Sequence, residues 1–237
     1  MAYDKVVDSA QLDSTLTNIA NSIRSKTGKS EPILTENMAS EIDGISGGGV
    51  EISFDSKNSK ALFQKAIFNP TEVKLTINNI LTSIDNMFDS SNVTKVTLIG
   101  NQSGKAISAV STFNSCTNLS TIDLTNFIFK PTQAVHWITS CSLLREVRGE
   151  IDFSAIENTN AMFNAGKVEY IRFKKETLSL SVDMFKMTKL NVESLQSIVD
   201  GLATVEAPQT LTLHPTVKAK LTSEQQQTIT SKNWTVA

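Results

Sequence analysis

Five aromatic or apolar residues recur at a nearly fixed interval: Phe88, Phe113, Ile138, Phe163 and Phe185, with spacings of 25, 25, 25 and 22 residues. Four of them follow a bulky partner (Met87, Trp137, Met162 and Met184), and Phe113 follows Thr112. This period constrains the fold more than any other property of the chain. A unit of about 25 residues is too short to bury its own apolar face, and it does so only by stacking on its neighbours. A stacked array offers surface rather than an enclosed pocket. The period therefore predicts a protein that binds or builds, not one that carries out covalent chemistry.

The second half of each unit has its own pattern. After the recurring aromatic comes a polar turn, then a short alternating run. The apolar positions are Val93, Val96 and Leu98 in the first unit, and Leu119, Ile122 and Leu124 in the second. They are Leu144, Val147 and Ile151 in the third, and Val168, Ile171 and Phe173 in the fourth. Spacings near three and then two fit a turn followed by a strand with one buried face. One such strand per unit predicts an α/β repeat with parallel strands about 4.8 Å apart. The segment carrying the aromatic would form the opposite wall as a short helix or turn.

The ends read differently. Asp8 or Ser9 can cap a helix, and Leu12, Leu16, Ile19 and Ile23 form one apolar stripe that Gly28 ends. A helix of about 17 residues with so narrow a stripe is marginal alone. It packs on its own chain, self-associates, or docks on a larger assembly. A shorter pattern, Leu34, Met38, Ile42 and Ile45, runs into Gly47, Gly48 and Gly49. These readings divide the chain into a helical attachment or oligomerisation segment (1–46), a glycine linker (47–49), a β-rich N-terminal cap (50–80), a repeat region (81–190) and a closing α/β cap (191–237). In the closing cap, Leu195, Ile198, Val199 and Leu202 predict a helix with Gly201 near its end, and Leu211, Leu213 and Trp234 predict strands.

Within residues 111–127, Phe113, Cys116, Leu119, Ile122 and Leu124 follow one another at three, three, three and two residues. This run resembles the leucine-rich repeats of the BspA-like type, which read as a Met-Phe pair, a Cys, a Leu and then Ile-x-Leu. The third unit resembles it at Ile138, Cys141, Leu144 and Val147, with Gly149 breaking its strand. The first unit has Ser91 in place of the Cys, and the fourth has Gly166. The resemblance implies a leucine-rich-repeat solenoid with parallel strands. Its core would be Phe88, Phe113, Cys116, Leu119, Ile122, Ile138, Cys141, Leu144, Phe163, Ile171 and Phe185.

A second resemblance lies outside the repeats. Residues Ile23 to Gly28 and Met38 to Ile45 are similar to a stretch near the start of many structural proteins of phages and prophages of Gram-positive bacteria. The closing segment, from Leu211 on, is similar to the end of repeat-bearing phage tail proteins. The implication is a virion protein, a tail, baseplate or head appendage. It would join other virion proteins through its N-terminal segment and form a homo-oligomer through Leu12, Leu16, Ile19 and Ile23. Its solenoid would serve assembly or face a host-surface glycan or protein. Lacking a charged-then-apolar signal peptide at its start, it is expected to be made in the bacterial cytoplasm and to reside in the virion. The alternative is a bacterial cell-surface adhesion module, which a secretion signal or wall anchor in the gene would favour.

Composition narrows the classes further. The net charge is −2 with no basic run, which argues against nucleic-acid binding. No stretch of about 18 apolar residues predicts membrane insertion. Cys116 and Cys141 are 25 residues apart at one repeat position, where Cys acts as a small core filler, and two thiolates alone do not make a zinc site. His136 and His214 stand in no pattern with a nucleophile, and Asp183 and Glu193 form no catalytic pair. No enzyme activity, cofactor or metal is expected. Asp89, Asn114, Thr139 and Asn164 follow the recurring residues and are expected to hydrogen-bond turn backbone from unit to unit. Trp137, Tyr170 and Trp234 are the aromatic candidates for stacking on a sugar, with core roles expected for both tryptophans.

Overall fold

A computed structural model describes residues 17–24, 50–54, 62–68, 71–77 and 81–237. The chain divides into two compact units, Met1–Gly49 and Val50–Ala237. In the first, residues 17–24 form helix α1. Ala20 and Ile23, three apart on one helix face, are buried, whereas Ile19 is 39% exposed. The expected stripe is thus corrected at Ile19. Leu12, Leu16 and the glycines 47–49 lie outside the described residues.

The second unit is mixed α/β, and among the described residues every strand pairing in it is parallel. Six strands form the largest sheet, in spatial order β1 (Val50–Phe54), β2 (Glu72–Ile77), β3 (Lys95–Gly100), β5 (Thr121–Phe127), β7 (Glu146–Ile151) and β8 (Tyr170–Phe173). A second sheet is β9 (Val182–Met184), β10 (Gln209–Leu213) and β11 (Trp234–Val236), and β4 (Ile107–Ser108) pairs with β6 (Pro131–Gln133). Alternation decides which residues face inward. All twelve apolar positions expected in the strand runs are no more than 2% exposed. The pairing already begins at β1 and β2, within the segment expected to be a cap.

Between strands the chain makes turns at residues 85–90, 110–115 and 135–140. Successive turns are joined by backbone hydrogen bonds, as from Phe88 N–H to Thr112 C=O at 2.9 Å and from Phe113 N–H to Trp137 C=O at 3.0 Å. Each turn needs left-handed backbone at fixed places. Positive φ recurs at Asn86, Ser111, His136 and Ala161, and again at Lys65, Ser90, Ser115 and Ser140, always 25 residues apart. Small polar residues fill most of these positions, because Asn and Ser tolerate that conformation better than branched side chains do.

The core is a column of aromatic rings. Phe63 stacks on Phe88 at 5.4 Å, and Phe88 stacks on Phe113 at 5.5 Å with planes 8° apart. Trp137 continues the column edge-on at 6.1 Å from Phe113 and also stacks on Phe129 at 4.9 Å. Phe163 and Phe173 follow, 5.8 Å apart. Trp137, rather than Ile138, carries the ring in its unit, and both are buried. Phe88, Phe113, Cys116, Leu119, Ile122, Cys141, Leu144, Phe163 and Ile171 are buried as expected.

Two expectations fail. Phe185 is 43% exposed. Strand β9 ends at Met184, with Val182 and Met184 turned inward, and Phe185 lies in the turn that follows, outside the core and against the His214 ring at 5.4 Å. Met187 takes a core position beyond it. Gly149, in turn, does not break β7. The strand runs through it with an irregular register, and Gly149 adopts φ +86°. A Cβ there would stand 2.7 Å from the Leu124 carbonyl group, so only glycine fits.

Helix α2 (Val192–Gly201) ends the large sheet, with α3 (Pro215–Lys218) and α4 (Ser223–Ser231) following. Asn191 caps α2, accepting from the Ser194 N–H, and Leu195, Ile198 and Val199 face the core. On the same helix Ser194 accepts from the Ile171 N–H at 3.0 Å and donates to the Glu169 carbonyl at 3.1 Å. Ser197 does likewise for the N–H and carbonyl of Phe173, at 3.0 and 3.3 Å. Two hydroxyls thus replace the next strand and close the β8 edge. The far end of α2 is held by Lys232, whose ammonium donates to the carbonyls of Val199, Asp200 and Leu202. Burial pulls the Lys232 pKa below its usual value.

Candidate functional site

The alternation that sends apolar side chains inward sends a charged set outward. On β7 these are Glu146, Arg148 and Glu150; on β8 they are Tyr170 and Arg172, with Lys174 just beyond. Thr121, Asp123 and Thr125 project from β5.

The sheet is not flat here. Asp123 pairs with Arg148, and the next bridge joins Phe129 to Ile151. The chain of β5 and the two residues after it therefore takes six residues (129 − 123) where β7 takes three (151 − 148). Glu146 pairs with Tyr170 and Glu150 with Arg172, so β7 takes four residues where β8 takes two. With Asn126 and Phe127 still paired to β3, the surplus segment of residues 124–128 forms one side of the depression. Together with the outward residues of β7 and β8 it bounds a groove of about 930 Å³, with Gln102 and Asn191 also on its lining.

The groove is charged but self-compensating. Arg148 binds Glu146 through Nη2 at 2.6 Å and through Nε at 2.8 Å. Arg172 binds Glu150 at 3.2 Å, Lys174 binds Asp152 at 2.7 Å, and Arg145 binds Glu169. Most of these side chains are about half exposed, and such pairs add little stability, about 0–1 kcal/mol each. Their effect is to orient donors and acceptors. Asp152 is the buried one, with its side chain 9% exposed. Burial alone would raise its carboxyl pKa, but hydrogen bonds from Lys174 and Ser154 outweigh that and hold it below the ordinary value. Lys174 is raised in turn by the same hydrogen bond.

The residues singled out from sequence are mostly elsewhere. Cys116 and Cys141 are free thiols in the core, donating to the carbonyls of Phe88 and Phe113, each at 2.9 Å. Burial pushes Cys116 up to about 11 and Cys141 further still, so both stay protonated. Asp89 accepts from Gln64 at 2.8 Å and from Asn114 at 2.9 Å, a side-chain ladder rather than bonding to turn backbone. Thr139 does bond turn backbone, donating to the Ala161 carbonyl at 3.0 Å. His136 occupies a left-handed turn position, and His214 caps α3. Trp137 and Trp234 are buried, so of the three aromatic candidates only half-buried Tyr170 lines the groove, where Phe127 is also on the lining. Among the described residues, no three His, Cys, Asp or Glu side chains are grouped to hold a metal ion, and no helix is long and apolar enough to cross a membrane.

The charged set of the groove was missed by reading the strand runs for their apolar residues alone. The signal was present in the intervening positions, Glu146, Arg148, Glu150 and Arg172. Comparison with protein-family models, curated proteins and solved structures returns no match.

Proposed function

We propose that the second unit is a leucine-rich-repeat solenoid of the BspA-like type and that the protein is a structural component of a bacteriophage virion. The observation that carries the solenoid reading is the pairing itself. Strand follows strand in parallel, and turn follows turn, through hydrogen bonds between residues about 25 apart, around one continuous core. The virion reading rests on the resemblance of the segments Ile23 to Gly28, Met38 to Ile45 and Leu211 onward to phage structural proteins. On this reading the protein is no enzyme. It sits on a tail, baseplate or head, attaches and oligomerises through residues 1–46, and presents the solenoid to the host cell or to a neighbouring virion protein. Many copies on one particle would make weak contacts effective.

The test is immunogold electron microscopy of particles from the producing strain, with antibody raised against residues 50–237. Gold at a defined place on phage particles is expected. Label confined to the cell envelope would overturn the virion reading and favour a bacterial surface adhesion module instead.

A further inference from the structure

We infer that the groove over β5, β7 and β8 is a binding site for a neutral glycan, an inference that rests on the reading of this unit as a displayed binding surface. Three observations point there. First, the concavity is built by the fold. Surplus residues of β5 and β7 break the register of the sheet along its lining, and its volume of about 930 Å³ is that of a small-ligand site.

Second, every carboxylate among Glu146, Glu150, Asp152 and Glu169 already has a cationic partner. An anion or cation entering the groove would have to compete with these pairs. A hydroxyl does not, because it donates to a carboxylate oxygen and accepts from a guanidinium N–H at once. Adjacent sugar hydroxyls match such alternating acceptors and donors, and the charge-assisted bonds they would make are the stronger kind. Third, the half-buried Tyr170 ring lies among these pairs. An aromatic face beside fixed polar groups suits a sugar ring, which has an apolar C–H face and a polar rim.

Isothermal titration calorimetry of the full chain tests this. The probes are maltohexaose, cellohexaose and N-acetylated chitohexaose, with hexagalacturonate and the hexamer of glucosamine as charged counterparts. At least one neutral hexamer is expected to bind, with Kd about 1 mM or tighter. Tyr170→Ala should weaken that binding about tenfold or more, and Tyr170→Phe should keep it within about threefold. Arg172→Gln, at an exposed position, should weaken it too and serves as the deciding variant if Tyr170→Ala does not fold by circular dichroism. Absence of binding to all three neutral hexamers overturns the inference. So does binding of the charged hexamers alone, or neutral binding that the folded variants leave unchanged. A failure here leaves gold labelling of particles untouched, so the two proposals fail separately.

Discussion

Replacing Ser194 by alanine isolates how the large sheet is ended. Ser194 is fully buried, and the substitution removes one oxygen without opening a sizeable cavity. The Glu169 carbonyl would keep its bond from the Asn191 N–H at 2.9 Å. The Ile171 N–H, which points away from β7, would lose its acceptor inside the protein. Stranding a buried donor costs about 1–3 kcal/mol. Ser197 makes the matching pair of bonds to Phe173, but it is half-buried, so water can replace its hydroxyl. Ser197→Ala should therefore cost less than about 1 kcal/mol. Urea unfolding followed by circular dichroism reads the difference. With a slope of about 2 kcal/mol per M, Ser194→Ala should lower the midpoint by about 0.5–1.5 M and Ser197→Ala by less than about 0.5 M. A Ser194→Ala midpoint equal to wild type, or a larger loss from Ser197→Ala, would refute the argument that these hydroxyls act as a substitute strand.

Further outcomes are expected from the core, the glycine and the charged residues. Phe113→Ala should destabilise by about 3–5 kcal/mol in thermal melts, since the ring is stacked in the centre of the column, whereas Phe185→Ala should stay within about 0.5 kcal/mol. Gly149→Ala should cost about 1–3 kcal/mol by the same measurement, from the left-handed backbone and the close Leu124 carbonyl. Titration with Ellman's reagent at pH 8 should find neither Cys116 nor Cys141 reactive in the native protein and both reactive in guanidinium chloride. The Asp152 pKa is lower folded than unfolded, so its stabilisation is present above its ordinary value of 3.8 and is lost as pH falls through the folded value. The stability difference between wild type and Asp152→Asn should accordingly shrink on acidification below about pH 4, and a difference that grows there would contradict the Lys174 pairing.

The fold was legible where local pattern and burial agree. Ile122 and Leu124, two apart on a strand, must share a face, and the 25-residue spacing from Cys116 to Cys141 brings two thiols to equivalent places in the core. Helix α2 was legible from Leu195, Ile198, Val199 and Leu202. The pattern misled at Phe185, where a Met-Phe pair that looks like its predecessors straddles a strand end: Met184 closes β9 facing inward and Phe185 begins the next turn facing outward. It misled at Gly149 as well, because a glycine that ends one strand permits a bulge in another.

The sequence alone determined the period, the alternation and so the inward-facing set, since those depend only on spacing along the chain and on what water excludes. Tertiary structure alone decided the groove. Its walls come from differences in residue count between β5, β7 and β8, and those differences have no meaning until the strands are paired. It also decided that Arg145, Arg172 and Lys174 meet carboxylates, whereas Arg148 and Glu146 are two apart on one strand. The pairs from Arg145, Arg172 and Lys174 join residues 22–24 positions apart. Only a chain that returns beside itself after about that many residues can bring such charges within hydrogen-bonding distance.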